Sequence, residues 1–225
     1  MKEGRDFAIV NKINNHFNDL NEDLKVINSF EDFVNNKERR RAILFDFLQI
    51  GELTNQLSKK FKTEFNNKNA FRLIAIRNRI VHGYSTIRDD IIYNTLKNQL
   101  SDFINELNCF ARLYYSEQLK KLVGKKVKVI VDRPIGYIHE GIKYQLNYGY
   151  IESITALDGE FQDAYIIDID EQLNEYTGIA IGIIRREEDI EDKLIVAKSK
   201  IDISNEEIER KVFFIEQYFK HHIER

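Results

Sequence analysis

The sequence predicts a multidomain protein of mixed class, an N-terminal all-α helical bundle followed by a small β-barrel-like domain with a C-terminal helix. Three observations carry this. Before Gly124 the only glycines are Gly4, Gly51 and Gly83, whereas Gly136, Gly141, Gly149, Gly159, Gly178 and Gly182 follow it. The sole proline, Pro134, also lies in the second part. Glycine and proline punctuate turns, so the first part should be long helices and the second a series of short strands. The apolar period also changes after Leu122, from three-and-four spacing to β-branched and alternating segments.

The elements follow in order. Phe7, Val10, Ile13, Phe17, Leu20 and Leu24 form one stripe on a first helix. Ser29 ahead of Phe30-Glu31-Asp32-Phe33 is an N-cap with acids in the first turn, which suits the positive helix end. Ala42, Ile43, Phe45, Leu48, Ile50, Leu53 and Leu57 mark a helix beginning near Lys37. Phe71, Ile74, Ile80 and Val81 mark another, and the run from Ile91 to Phe110 marks a long last helix. Short links between amphipathic helices predict a bundle. Strands are expected at residues 127–131, 148–151, 164–167, 179–184 and 194–197. Ser204 and Glu207 form a capping box ahead of Ile208, Val212, Ile215 and Phe219, a final helix. The domains are expected at residues 1–118 and 123–225.

Composition excludes several classes. The net charge of −3 gives no global attraction to nucleic acid, so any polyanion site must be local. A single cysteine, Cys109, excludes an intramolecular disulfide framework and suits a reducing compartment. No signal-peptide pattern follows Met1, and no apolar run approaches the roughly 20 residues that span a bilayer. The expectation is a cytoplasmic protein with no membrane partner.

One stretch concentrates chemistry: Arg77-Asn78-Arg79-Ile80-Val81-His82-Gly83-Tyr84. Arginine presents a planar fork of donors to phosphate and keeps its charge. Histidine both gives and takes a proton near neutrality. Breaking a phosphodiester without a metal needs a base, a proton donor for the leaving oxygen and a cation for the extra negative charge. On one straight helix, positions 77 and 82 lie about 140° apart. That favours a cleft composed from two copies over a self-contained site. A solvated arginine and a helix-terminal histidine would account for the same residues without catalysis.

The Arg-x4-His-x-Tyr pattern of Arg77, His82 and Tyr84 resembles the signature of HEPN domains, specifically the HepT-like toxins of HEPN/MNT toxin–antitoxin pairs. Phe33, the Arg39-Arg40-Arg41-Ala42-Ile43 run and Leu48-Gln49-Ile50-Gly51-Glu52-Leu53 are similar to the family's upstream helices. The resemblance spans roughly residues 5–110. It implies an endoribonuclease that needs no metal or other cofactor, acting on RNA as a homodimer, with Arg77, Asn78 and His82 as the catalytic set. It further implies a nucleotidyltransferase antitoxin of the MNT type as partner, with Tyr84 as the residue it adenylylates.

In the second part, Val131-Asp132-Arg133-Pro134, Tyr144-x-x-Asn147-Tyr148-Gly149-Tyr150-Ile151 and Asp158-Gly159-Glu160-Phe161-Gln162-Asp163 resemble family I soluble inorganic pyrophosphatases. Glu191-Asp192-Lys193-Leu194 is similar to that family's late Asp–Lys pair. The resemblance implies Asp158, Glu160, Asp163 and Asp192 as Mg2+ ligands, with Arg133, Tyr148 and Lys193 gripping pyrophosphate or a nucleotide. Hard oxygens suit magnesium, and a metal-bound hydroxide can attack phosphorus. The chain departs from the family's acidic motif at Glu160 and Phe161, and its helical half replaces the portion that supplies further acids and lysines. Three readings therefore stand: a ribonuclease with an appended pyrophosphatase-like domain, a magnesium-dependent phosphoanhydride hydrolase with a helical dimerisation domain, and a non-catalytic interaction protein.

Overall fold

The computed structural model describes residues 4–82, 88–187, 189–199 and 203–225, and of Val81 and His82 it describes the backbone. The chain divides into a helical unit, Lys2–Arg112, and a β unit, Leu113–Arg225.

The helical unit is built from α1 (Gly4–Leu24), α2 (Phe30–Asn35), α3 (Lys37–Gln56), α4 (Lys59–Phe65), α5 (Lys68–His82), α6 (Asp89–Asn98) and the first part of α7 (Leu100–Lys120). Local chemistry sets the short elements. The Ser29 hydroxyl accepts from the Asp32 amide at 3.0 Å, and Asn36 caps α3 by accepting from Arg39 N–H at 3.1 Å. Ser58 caps α4 in the same way, and Asp6, buried on α1, accepts from the Ser58 amide at 2.7 Å. These oxygens satisfy donors that a helix start leaves without partners. Phe7, Val10, Ile13 and Leu20 of α1 and Ile43, Phe47 and Ile50 of α3 are buried.

Three expectations are corrected in detail. The buried stripe of α5 is Ala70, Leu73 and Ile76, while Phe71 is 59% exposed. Phe45 of α3 is likewise exposed and meets the His16 ring edge-on, at 6.1 Å between centroids. The long last helix is two, because Gln99 leaves helical geometry at φ −134 between α6 and α7. Ile92, Leu96, Leu100, Phe103 and Leu107 are all buried, so the three-and-four spacing continues across the break and conceals it.

The β unit contains β1 (Lys126–Arg133), the short hairpin β2 (Ile138–His139) and β3 (Ile142–Lys143), β4 (Asn147–Thr155), β5 (Phe161–Ile166), β6 (Glu175–Arg186), β7 (Lys193–Ala197), α8 (Asn205–Glu216) and β8 (His221–Glu224). The large sheet runs β1-β4-β5-β7-β6-β8, and β1 also pairs with β6, which closes five strands into a barrel. β5 and β7 are parallel, while the other pairs are antiparallel. Alternation sorts the side chains. Val129, Ile151, Ala164, Ile166, Ile183, Leu194 and Val196 fill the interior. Tyr148, Tyr165 and Ile195 point the other way and form a second core with Ile208, Val212 and Phe214 of α8. At Gly149 a side chain is impossible, since a Cβ there would stand 1.9 Å from the Ile130 carbonyl oxygen.

β8 was absent from the expected strands. Its sequence, His-His-Ile-Glu, lacks an alternating apolar pattern, yet it pairs with the second half of β6 from Ile183↔Glu224 to Arg186↔His221. Helix α8 ends at Glu216, so Phe219 lies beyond it. From the last turns of α7, the buried Tyr115 donates its hydroxyl to Gln162 Oε1 at 2.6 Å, and the Ser116 carbonyl accepts from Arg185 Nη2 at 3.3 Å.

Candidate functional sites

In the helical unit, Gly51 and Arg77 explain each other. A Cβ at Gly51 would stand 2.9 Å from Arg77 Cβ, so the bare backbone of α3 is what lets the arginine stem of α5 lie against it. The guanidinium then pairs through Nη2 with Glu52, the next residue on α3. Its Nη1 donates to Asn78 Oδ1 at 2.8 Å. Arg77 is thereby oriented on two sides while its side chain stays 19% exposed. The sequence reading left Glu52 without a role; the pairing of α3 with α5 that reveals it is a long-range contact. His82 ends α5 as described, five residues after Arg77 on the same helix. The His82 side chain, Gly83 and Tyr84 lie outside the described residues. In the arginine run upstream, Arg39 is paired to Asp23 and Arg40 to Asp89.

In the β unit, register gathers most of the expected residues on one outward face. Arg133 stands opposite Tyr148, and Asp163 opposite Tyr150. The Arg133 guanidinium lies over the rings of Tyr144 and Tyr148, at 5.5 and 5.3 Å, and donates to the Tyr144 hydroxyl at 2.6 Å. Lys193 is 2% exposed and donates to Asp163 at 2.5 Å and to Glu191 at 2.8 Å. Burial, and then the charge of Asp163, push the Tyr148 phenol well up, so it remains a hydrogen-bond donor to that carboxylate. Asp158 is also pushed up, chiefly by burial, although its carboxylate accepts from the Glu160 amide at 2.9 Å.

The other two positions part from this group. Glu160 is exposed. Asp192 precedes Lys193, and consecutive strand residues face opposite ways. Its carboxylate takes Arg185 Nη1 at 2.6 Å and the Arg186 amide at 3.2 Å. Arg186, unremarked in the sequence, forms a buried fork with Glu216 at 2.9 and 3.0 Å, and Glu216 also accepts from the Tyr165 hydroxyl at 2.7 Å. Asn147, part of the recognised motif, holds loops: Oδ1 accepts from the Ile135 and Leu173 amides, and Nδ2 donates to the Glu171 carbonyl.

Magnesium demands a set of oxygen ligands free to coordinate it. Here Lys193 holds Asp163 and Glu191, Arg185 holds Asp192, and Asp158 accepts a backbone amide. Among the described residues, no group of three or more His, Cys, Asp or Glu is placed to hold a metal ion. As arranged, Lys193 and Arg185 engage three of these acids, Asp163, Glu191 and Asp192.

Comparison with curated proteins gives no match. Among solved structures, the C-terminal half is similar to inorganic pyrophosphatases. That of Coxiella burnetii is 18% identical with a TM-score of 0.35, over 45% of this chain and 84% of that one. That of Ehrlichia chaffeensis is 14% identical with a TM-score of 0.37, over 45% and 86%. That of Helicobacter pylori is 16% identical with a TM-score of 0.37, over 46% and 86%. No helix among the described residues is long and apolar enough to cross a membrane. Over residues 12–110, which include the Arg77–Tyr84 motif, the chain matches the HepT-like family, described as ribonuclease HepT-like.

Proposed function

We propose that the chain is a metal-independent endoribonuclease of the HepT type, acting as a homodimer through Arg77, Asn78 and His82. The observation that carries this reading is the family match at residues 12–110, with the Arg-x4-His-x-Tyr motif inside it. RNA is the substrate that the family description suggests. In the reaction, the 2′-oxygen bonds to phosphorus as it loses its proton, and the bond to the 5′-oxygen breaks as that oxygen gains one. His82 of one copy takes the first proton and His82 of the second supplies the other, which answers the wide angle between positions 77 and 82. Arg77, held by Glu52 and Asn78, meets the charge that accumulates on the phosphorane-like transition state. Tyr84 is the proposed adenylylation site for an MNT-type nucleotidyltransferase, which would silence the toxin by placing bulk and charge beside His82.

The test is cleavage of single-stranded RNA by purified protein in EDTA. Cleavage that persists there and vanishes in His82→Ala supports the proposal, and an inert wild-type dimer would sink it.

A further inference from the structure

Helix α5 contains no acidic residue and four basic ones, Lys68, Arg72, Arg77 and Arg79. The whole chain is net negative, so this excess belongs to α5 itself. Arg77 turns toward α3, where its stem lies against Gly51. The other three lie on the far side. At about 100° per residue, Lys68, Phe71, Arg72, Ala75, Asn78 and Arg79 fall within about 120° of arc, and all of them are exposed. The basic residues form one ridge over roughly 16 Å of helix, with Phe71, 59% exposed, beside it. Arg79 stands three residues before His82, whose position on the helix falls in the same arc.

Availability separates this ridge from the other arginines of the unit. Arg39, Arg40 and Arg88 each meet an aspartate. Among the described residues, Lys68, Arg72 and Arg79 are in no ion pair. The carboxylates of α3, the helix packed on α5, are engaged elsewhere or distant. Glu52 takes Arg77 and Asp46 takes His16, while Glu38 lies about 20 Å along α3 from Gly51. An acid-free line of cations repels a like face, which disfavours a second copy there. It attracts a polyanion, and an exposed ring among the cations gives a base a surface to stack on.

We propose that this face of α5 is a substrate track for single-stranded RNA. Lys68, Arg72 and Arg79 take phosphates, Phe71 stacks a base, and the strand is led to His82. The proposal rests on the ribonuclease reading for its substrate. These are positioning residues, since Arg77, on the opposite side of the helix, is the one assigned to the transition-state charge.

The test follows the anisotropy of a fluorescein-labelled oligouridylate dodecamer with the full chain carrying His82→Ala, so that RNA is not consumed. Saturable binding is expected. Arg72→Ala and Arg79→Ala together should weaken it about tenfold or more. They should also lower the slope of log affinity against log salt by about 0.7 each. Phe71→Ala should weaken binding about fivefold or more without changing that slope. In the chain that keeps His82, the same substitutions should raise KM rather than lower kcat. Absence of binding, or binding indifferent to the three substitutions, overturns the proposal. So does a loss as large from Arg41→Ala, exposed on α3, as from Arg72→Ala, or a duplex held as tightly as the single strand. Cleavage in EDTA without such binding overturns the track alone. Binding that depends on the ridge, in a wild-type chain that cleaves nothing, upholds the binding face and overturns the ribonuclease reading instead.

Discussion

In the helical unit, the motif arginine meets one carboxylate from a neighbouring helix and its side chain stays 19% exposed. In the β unit, Lys193 sits almost fully buried between two carboxylates, and Arg186 is locked by the buried Glu216. Both regions contain the residue types that handle phosphate, but they differ in availability. A cation oriented by one partner can still turn donors to a ligand. A cation enclosed by two has its electrostatics spent on the fold, and removing either side leaves a buried charge uncompensated. The comparison teaches that a charged residue in a motif is a candidate for chemistry only to the extent that the fold leaves it unsatisfied.

The largest effect should come from opening the closed side. Glu216→Ala strands Arg186 and the Tyr165 hydroxyl, and should cost about 3–5 kcal/mol of stability by urea denaturation. Replacing Arg186 and Glu216 together by Met should cost less than either single change. A cost below about 1 kcal/mol for Glu216→Ala would erase the contrast between the two units.

On the open side, Arg77→Ala should lower RNA cleavage by about a hundredfold or more, a larger loss than its effect on folding accounts for. Arg77→Lys should not restore activity, since a point charge cannot pair with Glu52 and Asn78 as the fork does. Equal losses of folding and cleavage would instead make Arg77 a structural residue like Arg186.

Gly51→Ala should cost about 1–3 kcal/mol, because the new methyl group must displace the Arg77 stem. Cleavage should fall with it, read as a lower kcat in protein that remains folded below its shifted Tm.

The smallest effect is a pH dependence in the β unit. Burial opposes charge on His221, but hydrogen bonds to the Phe219 carbonyl and to Glu209 outweigh it, so its pKa is raised. A raised value means that the folded state binds the proton more tightly than the unfolded chain does. The stabilisation is therefore complete below about pH 6.5, the unfolded value, and is lost as pH rises through the folded one. Denaturation at pH 6 and pH 8 should differ by less than about 1 kcal/mol from this source, and Glu209→Gln should shrink the difference.

The sequence made the two-part architecture legible because glycine placement and apolar period are local signals. Phe71 and Ile74 mark α5 in the sequence because both are large and apolar, whereas the buried positions are Ala70, Leu73 and Ile76. The break at Gln99 left no trace because the buried positions keep their rhythm through it. At the candidate sites, the residue types of the motifs were readable and their partners were not. Glu52 reaches Arg77 across 25 positions of sequence, and Asp163 reaches Lys193 across 30. Whether an acid faces a metal, a lysine or solvent is decided by strand register, and register has no signature in a short motif. That is why Asp192 and Lys193, adjacent in the chain, end with different partners.

The pairing of β8 with β6 also bears on how molecules of this protein meet one another. β6 is twelve residues long, and β1 occupies only its first half on one edge. From Ile183 to Arg186 that edge is covered by β8 alone. Were β8 to peel away, β6 would present a row of unpaired amides and carbonyls beside the apolar Ile183 and Ile184, a template for a strand from a second chain. The four residues of β8, three of them polar, therefore cover an edge that would otherwise be open to a strand from a second copy.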